Sequence, residues 1–126
     1  MKRVAVVILN WNGKKILEQF LPSVINNNPD FAEIIIADNA SVDDSLDFVR
    51  NNFPQIKIIR NKTNGGYAKG YNDALAELDH EYFVLLNSDV EVSENWIEPV
   101  INMMDADKNI AACQPKILSF SNKNMF

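Results

Sequence analysis

The run Val4-Ala5-Val6-Val7-Ile8-Leu9 constrains this chain more than any other segment. It is continuously apolar rather than alternating. Such runs, rich in β-branched residues, belong to strands covered on both faces, as in parallel sheets lying between helices. The run is far short of the roughly 20 apolar residues of a membrane span. Although it follows Lys2-Arg3, it is also too short for a signal peptide, and polar Asn10-Trp11-Asn12 comes next.

The same unit then recurs along the chain. Asn12-Gly13 breaks the first strand, and Ile16, Leu17, Phe20, Leu21, Val24 and Ile25 follow at helical spacing, with Pro22 placed to kink or shorten that helix. Asn26 to Asp30 supplies turn residues before a second strand, Ile34 to Ala37. Ser41 is the expected N-cap of a second helix, with Asp43 and Asp44 in its first turn and Leu46, Val49 and Phe53 on its apolar face. Ile56 to Ile59 is a third strand, Tyr67 to Leu78 a third helix and Tyr82 to Leu86 a fourth strand. Ser93 is expected to cap a helix carrying Trp96, Ile97, Val100, Ile101 and Met104, and Ile110 to Ile117 to form a fifth strand. Trp96 reads as a core residue. Strand–helix alternation with short connections gives an α/β fold, a mainly parallel sheet with helices on both faces.

Composition narrows the function classes. A length of 126 residues fits one domain, and 47% hydrophobic with 23% charged residues is globular composition. With 12 Lys+Arg against 17 Asp+Glu, the net charge of −5 leaves no basic surplus for phosphate backbones, which argues against a nucleic-acid binder. The single cysteine, Cys113, cannot close an internal disulfide and reads as a small buried hydrophobe. His80 is expected to be solvent-exposed in a turn, and the abundance of asparagine is given no functional weight.

Ligands of open parallel sheets bind at the carboxyl ends of the strands, and the polar residues of this chain collect there. The first strand ends in Asn10-Trp11-Asn12-Gly13, the second in Asp38-Asn39-Ala40-Ser41, the fourth in Asn87-Ser88-Asp89, and Asn61 to Gly66 follows the third. Asp89, in a loop of short polar residues, suits a hard divalent cation completed by substrate phosphates and water; it equally suits a turn cap. Asp38 suits a hydrogen bond from a nucleoside, or a local turn with Ser41. Trp11, in a loop, suits stacking on a base. In the segment Asn64 to Asn72, a glycine pair and Lys69 at a helix start suit phosphate, although the spacing is that of neither the dinucleotide fingerprint nor the phosphate loop. No histidine–cysteine ligand cluster, nucleophile elbow or serine triad can be assembled.

In order and content these motifs resemble the family 2 glycosyltransferases, inverting enzymes of the GT-A fold that use nucleotide sugars. Val6 to Gly13 is similar to the family's opening strand and nucleoside loop, Ile36 to Ser45 to its second-strand segment, and Asn64 to Leu75 to the segment beside the diphosphate. Leu85-Leu86-Asn87-Ser88-Asp89-Val90 is similar to a variant Asp-x-Asp metal motif of the rhamnosyltransferase-like branch. The resemblance implies a three-layer α/β/α, Rossmann-like sandwich, truncated, with residues 1–118 forming a nucleotide-sugar-binding unit and 119–126 leading toward an absent acceptor-binding segment. It implies that Trp11 packs on the base, Asp38 contacts it, Lys69 approaches the phosphates and Asp89 binds Mn²⁺ or Mg²⁺. Donor-binding positions would also include Asn10, Asn12, Asn39, Asn64, Gly66, Asn72, Asn87 and Ser88. Asn87 departs from the family pattern, standing where many relatives have the first aspartate. No residue matches the family's catalytic base. The partners implied are a nucleotide-diphosphate sugar and a glycan or lipid-linked acceptor, in cell-wall or polysaccharide synthesis, at a cytoplasmic location peripheral to the inner face of the membrane. A flavodoxin-like signalling domain would need an acidic pair after the first strand, and a sugar-nucleotide nucleotidyltransferase a glycine-rich basic opening loop; Asn10 to Lys15 supplies neither.

Overall fold

A computed structural model describes residues 2–125; Met1 and Phe126, the outer ends of the expected unit and tail, lie outside them. The elements are β1 (Val4–Asn10), α1 (Lys14–Asn26), β2 (Ala32–Asp38), α2 (Ser45–Asn52), β3 (Lys57–Arg60), α3 (Tyr67–Leu75), β4 (Tyr82–Leu86) and α4 (Glu98–Ala106). The strands form one sheet in the order β3-β2-β1-β4, and every pairing is parallel. β1 lies inside the sheet, as its unbroken apolar run requires.

Alternate residues of the strands feed two cores. Val4, Val6, Ile8, Ile34 and Ile36 pack with Leu17, Leu21 and Val24 of α1, Leu46 and Val49 of α2, and Ile97 and Ile101 at α4. On the opposite face, Ala5, Val7, Ile35, Ala37 and Ile59 pack with Tyr71, Ala74 and Leu78 along and beyond α3. The result is a three-layer α/β/α arrangement. Each buried Val, Ile or Leu contributes about 1.5–3 kcal/mol, so these apolar runs are the main force holding the sheet between its helices. α1 continues through Pro22 without being cut. Among the described residues, no helix is long and apolar enough to cross a membrane.

Several local expectations are corrected. Ser41 does not cap α2: its hydroxyl is bonded to Asp38, and the helix begins at Ser45, whose N–H and hydroxyl both donate to Asp43 Oδ1. Ser93 caps nothing, because α4 begins later, with Ile97 as its cap residue and Pro99 in its first turn. Ile110 to Ile117 forms no strand. A strand needs a neighbour for its N–H and C=O groups, and this segment, interrupted by Pro115, pairs with no strand of the sheet. Cys113 is consequently exposed. His80 is buried, its Nε2 3.3 Å from Glu33 Oε2 and its ring edge-on to Phe83, because the turn before β4 folds against the sheet. Trp96 packs against the core as expected.

Candidate functional site

Parallel pairing brings the strand ends to one rim. Asn10 lies beside Asp38 and Asp38 beside Arg60 in register, while Leu86 of β4 lies beside Ile8. The four connections leaving this rim carry the polar clusters, and the structure divides them into residues that hold the loops and residues that present chemistry.

The first holding group is built on Asp38. This carboxylate is 0% exposed. Its Oδ1 accepts from Asn10 Nδ2 at 2.9 Å and from the Ser41 hydroxyl at 2.7 Å, and its Oδ2 accepts from the Ser41 N–H at 2.9 Å. Asp38 ends an interior strand, and the neighbouring loop donors fold over it. Its carboxylate oxygens are therefore engaged within the rim, and Asn10, 1% exposed, is turned inward with it. The Asn10 carboxamide has a fixed orientation. The hydroxyls of Ser41 and Ser45 already donate to Asp38 and Asp43, so Nδ2 must be the atom that approaches them, at 3.2 and 3.0 Å. Asn12, at φ 48°, staples the two loops: its Oδ1 accepts from Val42 N–H at 2.8 Å and its own N–H donates to Ser41 Oγ at 2.9 Å.

A second group joins β2 to the turn before α3. Asn61 donates to Asn39 Oδ1 at 2.8 Å and to the Gly70 carbonyl at 3.1 Å. Asn39, 2% exposed, donates in turn to Asn64 Oδ1 and to the Gly66 carbonyl. Asn64 Oδ1 also accepts from the Gly66 N–H at 3.0 Å. Sequence reasoning missed this role of asparagine. A carboxamide can donate and accept at once, which is what a buried junction between two loops needs. The recurrence of asparagine after successive strands was the available signal.

What remains on the rim is exposed. Trp11 is 57% exposed, and Asn64, Gly65, Gly66, Tyr67, Asn87 and Asp89 are open, with Ser88 half-buried. The hydroxyl of Tyr67, a residue the sequence marked only as helical, donates to Asn87 Oδ1 at 2.8 Å and ties the glycine turn to the loop after β4. Lys69 is engaged along its own helix, with Nζ 2.6 Å from Asp73 Oδ2. A surface pair of this kind is worth at most about 1 kcal/mol, so Lys69 is free to exchange partners. Asn72 is exposed on α3 with no side-chain hydrogen bond to the rim loops among the described residues. Two clefts, of about 290 and 430 Å³, lie elsewhere: one between the end of α1 and residues 94–98, the other beside α2.

Among the described residues, no three His, Cys, Asp or Glu side chains cluster as a metal cage. Asp89 is a single exposed carboxylate at a strand end, flanked by the Ser88 hydroxyl and the Asn87 carboxamide. That donor set fits Mg²⁺ or Mn²⁺ shared with a diphosphate, since such ions commonly take one or two carboxylates and keep phosphate and water ligands. Asp43 is only slightly shielded. Burial pushes its carboxyl up, but the hydrogen bonds from Ser45 outweigh this and hold it below the usual range.

Ala40 stands at φ 60°, a left-handed conformation that lets Ser41 return over Asp38. For a residue with a Cβ this costs about 1–2 kcal/mol, whereas glycine gives back about 0.4–1 kcal/mol through the unfolded chain. Ala40→Gly should therefore stabilise the protein by about 0.5–1 kcal/mol, read as a higher urea midpoint at unchanged slope. A lower midpoint would show that the methyl group packs usefully.

Comparison with known proteins agrees with this fold. An uncharacterised glycosyltransferase of Haemophilus influenzae is 27% identical over 86% of this chain and 35% of its own length. The Staphylococcus aureus protein TarS, solved as residues 1–349 with UDP-GlcNAc, superposes with a TM-score of 0.70 and 25% identity over 84% of this chain and 32% of that one. The mannosyltransferase PcManGT of Pyrobaculum calidifontis, solved with GDP-Man and Mn²⁺, superposes with a TM-score of 0.72 and 22% identity, covering 81% of this chain and 32% of that one. The chain thus spans about a third of the length of these relatives. The sequence model described as "Glycosyl transferase family 2" matches residues 5–124, so this chain belongs to that family.

Proposed function

We propose that residues 1–118 form the donor-binding unit of an inverting glycosyltransferase, which moves a sugar from a nucleotide-diphosphate sugar to a glycan or lipid-linked acceptor. The observation that carries this reading is the exposed Asp89 loop lying against the glycine turn of α3 through the Tyr67–Asn87 bond. An open carboxylate next to a glycine turn at a helix start is a place where a cation and a diphosphate can bind together. TarS and PcManGT, which share the fold, were captured with UDP-GlcNAc and with GDP-Man plus Mn²⁺ respectively.

Trp11 offers its exposed indole to a base. Asn12, Asn64 and Gly66 border the bound nucleotide, Asn87 and Ser88 offer polar groups to the diphosphate and sugar, and Lys69 leaves Asp73 for the phosphates. Asn10, Asp38 and Asn39 act by holding these loops. The resemblance to the rhamnosyltransferase-like branch favours a thymidine or uridine diphosphate sugar as the donor. In the reaction the acceptor oxygen bonds to the anomeric carbon as the bond from that carbon to the diphosphate oxygen breaks, the leaving oxygen keeping the electron pair. Inversion follows from attack opposite the leaving group, and the acceptor proton passes to a base that none of these residues provides. Mn²⁺ or Mg²⁺, held by Asp89 and the diphosphate, would stabilise the charge that develops on the leaving group.

The test is calorimetric binding of UDP with and without Mn²⁺. Mn²⁺ should tighten binding, and Asp89→Ala should remove that enhancement, a loss of about tenfold or more for one charged ligand. Equal binding with and without the metal would refute the cation assignment.

A further inference from the structure

Residues 62–66, which form the glycine turn ahead of α3, are all exposed. Two of these five residues are glycine, so the turn has little side chain with which to pack itself down. Among the described residues, its hydrogen bonds to the strand ends come from Asn39 alone. A segment held at one point is placed by whatever fixes that point.

That point is a relay of three carboxamides whose polarity is set by main-chain groups. Asn61 Nδ2 lies 3.1 Å from the Gly70 carbonyl, which can only accept, so this atom is the NH₂, and it also donates to Asn39 Oδ1 at 2.8 Å. Asn39 Nδ2 donates to the Gly66 carbonyl at 3.1 Å and to Asn64 Oδ1 at 3.3 Å. Asn64 Oδ1 accepts from the Gly66 N–H, which can only donate, so its orientation is fixed as well. Every bond therefore runs one way, from Asn61 through Asn39 to the turn. Asn61 is the anchored end: it is 7% exposed, and its own N–H donates to the Asp38 carbonyl at 2.8 Å, carrying the β2–β3 pairing one residue past Arg60. The Trp11 loop is held by a different set, Asn12 and Ser41 with Asp38, in which the Asn61 side chain takes no part.

Resting on the donor-binding reading above, we propose that Asn61 is a positioning residue for the diphosphate half of the site alone. By fixing the Asn39 carboxamide as a donor, it holds the glycine turn and the start of α3 where a phosphate can meet them. It touches no ligand itself. The nucleoside half, built on the Trp11 loop, keeps its shape without the Asn61 side chain. The two halves of the nucleotide thus rest on separate hydrogen-bond groups that adjoin at Asp38 and Asn39.

The experiment compares uridine with UDP on the 126-residue chain, uridine by titration of amide chemical shifts and UDP by calorimetry in Mn²⁺. Asn61→Ala should weaken UDP about tenfold, while uridine affinity changes by no more than about twofold. Asn61→Asp keeps the shape but sets a carboxylate against two acceptors, Asn39 Oδ1 and the Gly70 carbonyl. Turning the Asn39 amide over to meet it would put Oδ1 against the Gly66 carbonyl, so this variant should show the same selective loss. Val49→Ala, a core truncation under α2 away from the rim, gives a fall in melting temperature with no change in the ratio of the two affinities. That ratio therefore separates positioning from mere loss of stability. Equal losses of uridine and UDP in the Asn61 variants, or no loss of either, would overturn the positioning role and leave the donor-binding reading standing. Failure of both variants to fold would overturn it too, by showing that Asn61 serves the fold as a whole. A wild-type chain that binds neither uridine nor UDP would overturn both readings.

Discussion

Replacing Asp38 by alanine is expected to destabilise the fold by about 3–5 kcal/mol. The carboxylate accepts from Asn10 Nδ2, the Ser41 hydroxyl and the Ser41 N–H, all of them buried. Truncation strands these donors at about 1–3 kcal/mol each and opens a cavity beneath the rim. Removing a buried charge recovers part of that cost, since a buried carboxylate carries a desolvation penalty of several kcal/mol. The donors outweigh it because they are preorganised by the stapled loops and cannot all turn to water. Urea denaturation should show a large fall in midpoint at unchanged slope, and Asp38→Asn, which keeps the shape but sets an NH₂ against a donor, should fall between the two. A folded, near-wild-type Asp38→Ala that had lost only UDP affinity would show instead that Asp38 faces the ligand.

That contrast marks how far the sequence can be read. The sheet was legible because parallel strands declare themselves as continuous apolar runs, and Val4 to Leu9 could be little else. The rim was legible because a strand end is where a parallel sheet exposes loops. The division of labour within it was not. Asn10 and Trp11 are adjacent in sequence, yet one is sealed and the other open, because burial of a polar side chain depends on which distant loop crosses it. Asp38 is sealed by Ser41 and by Asn10 across the ladder, and only the register between β1 and β2 reveals that pairing. Tyr67 and Tyr71 stood in the sequence only as members of the third helix, and their hydroxyls found partners at Asn87 and Leu86, at the end of a strand that follows them in sequence. Residues 110–117 had strand-like composition, but pairing is a non-local fact.

Gly70→Ala sets a local rule directly against this tertiary lattice. Glycine inside a helix is about 0.8–1 kcal/mol worse than alanine, so propensity alone predicts that the substitution stabilises α3. The site decides otherwise. A Cβ on Gly70 would stand 2.7 Å from both Asn39 Oδ1 and Nδ2 and 2.8 Å from Leu9 Cδ1. Asn39 cannot retreat without breaking its bonds to Asn61 and the Gly66 carbonyl. Overpacking of this kind costs about 1–3 kcal/mol, and each buried hydrogen bond that is lost adds about 1–3 more. A net destabilisation of about 2–4 kcal/mol is expected, with weaker UDP binding as the glycine turn shifts away from Asn87. Gly65→Ala is the milder comparison: the nearest atoms to its Cβ are Lys69 Cδ, Cγ and Cβ, and because Cδ and Cγ can swing away into solvent it should cost clearly less than Gly70→Ala. If Gly70→Ala instead raised the urea midpoint, helix propensity would outweigh the asparagine junction, and the close seating of α3 on Asn39 could not be what holds the glycine turn at the rim.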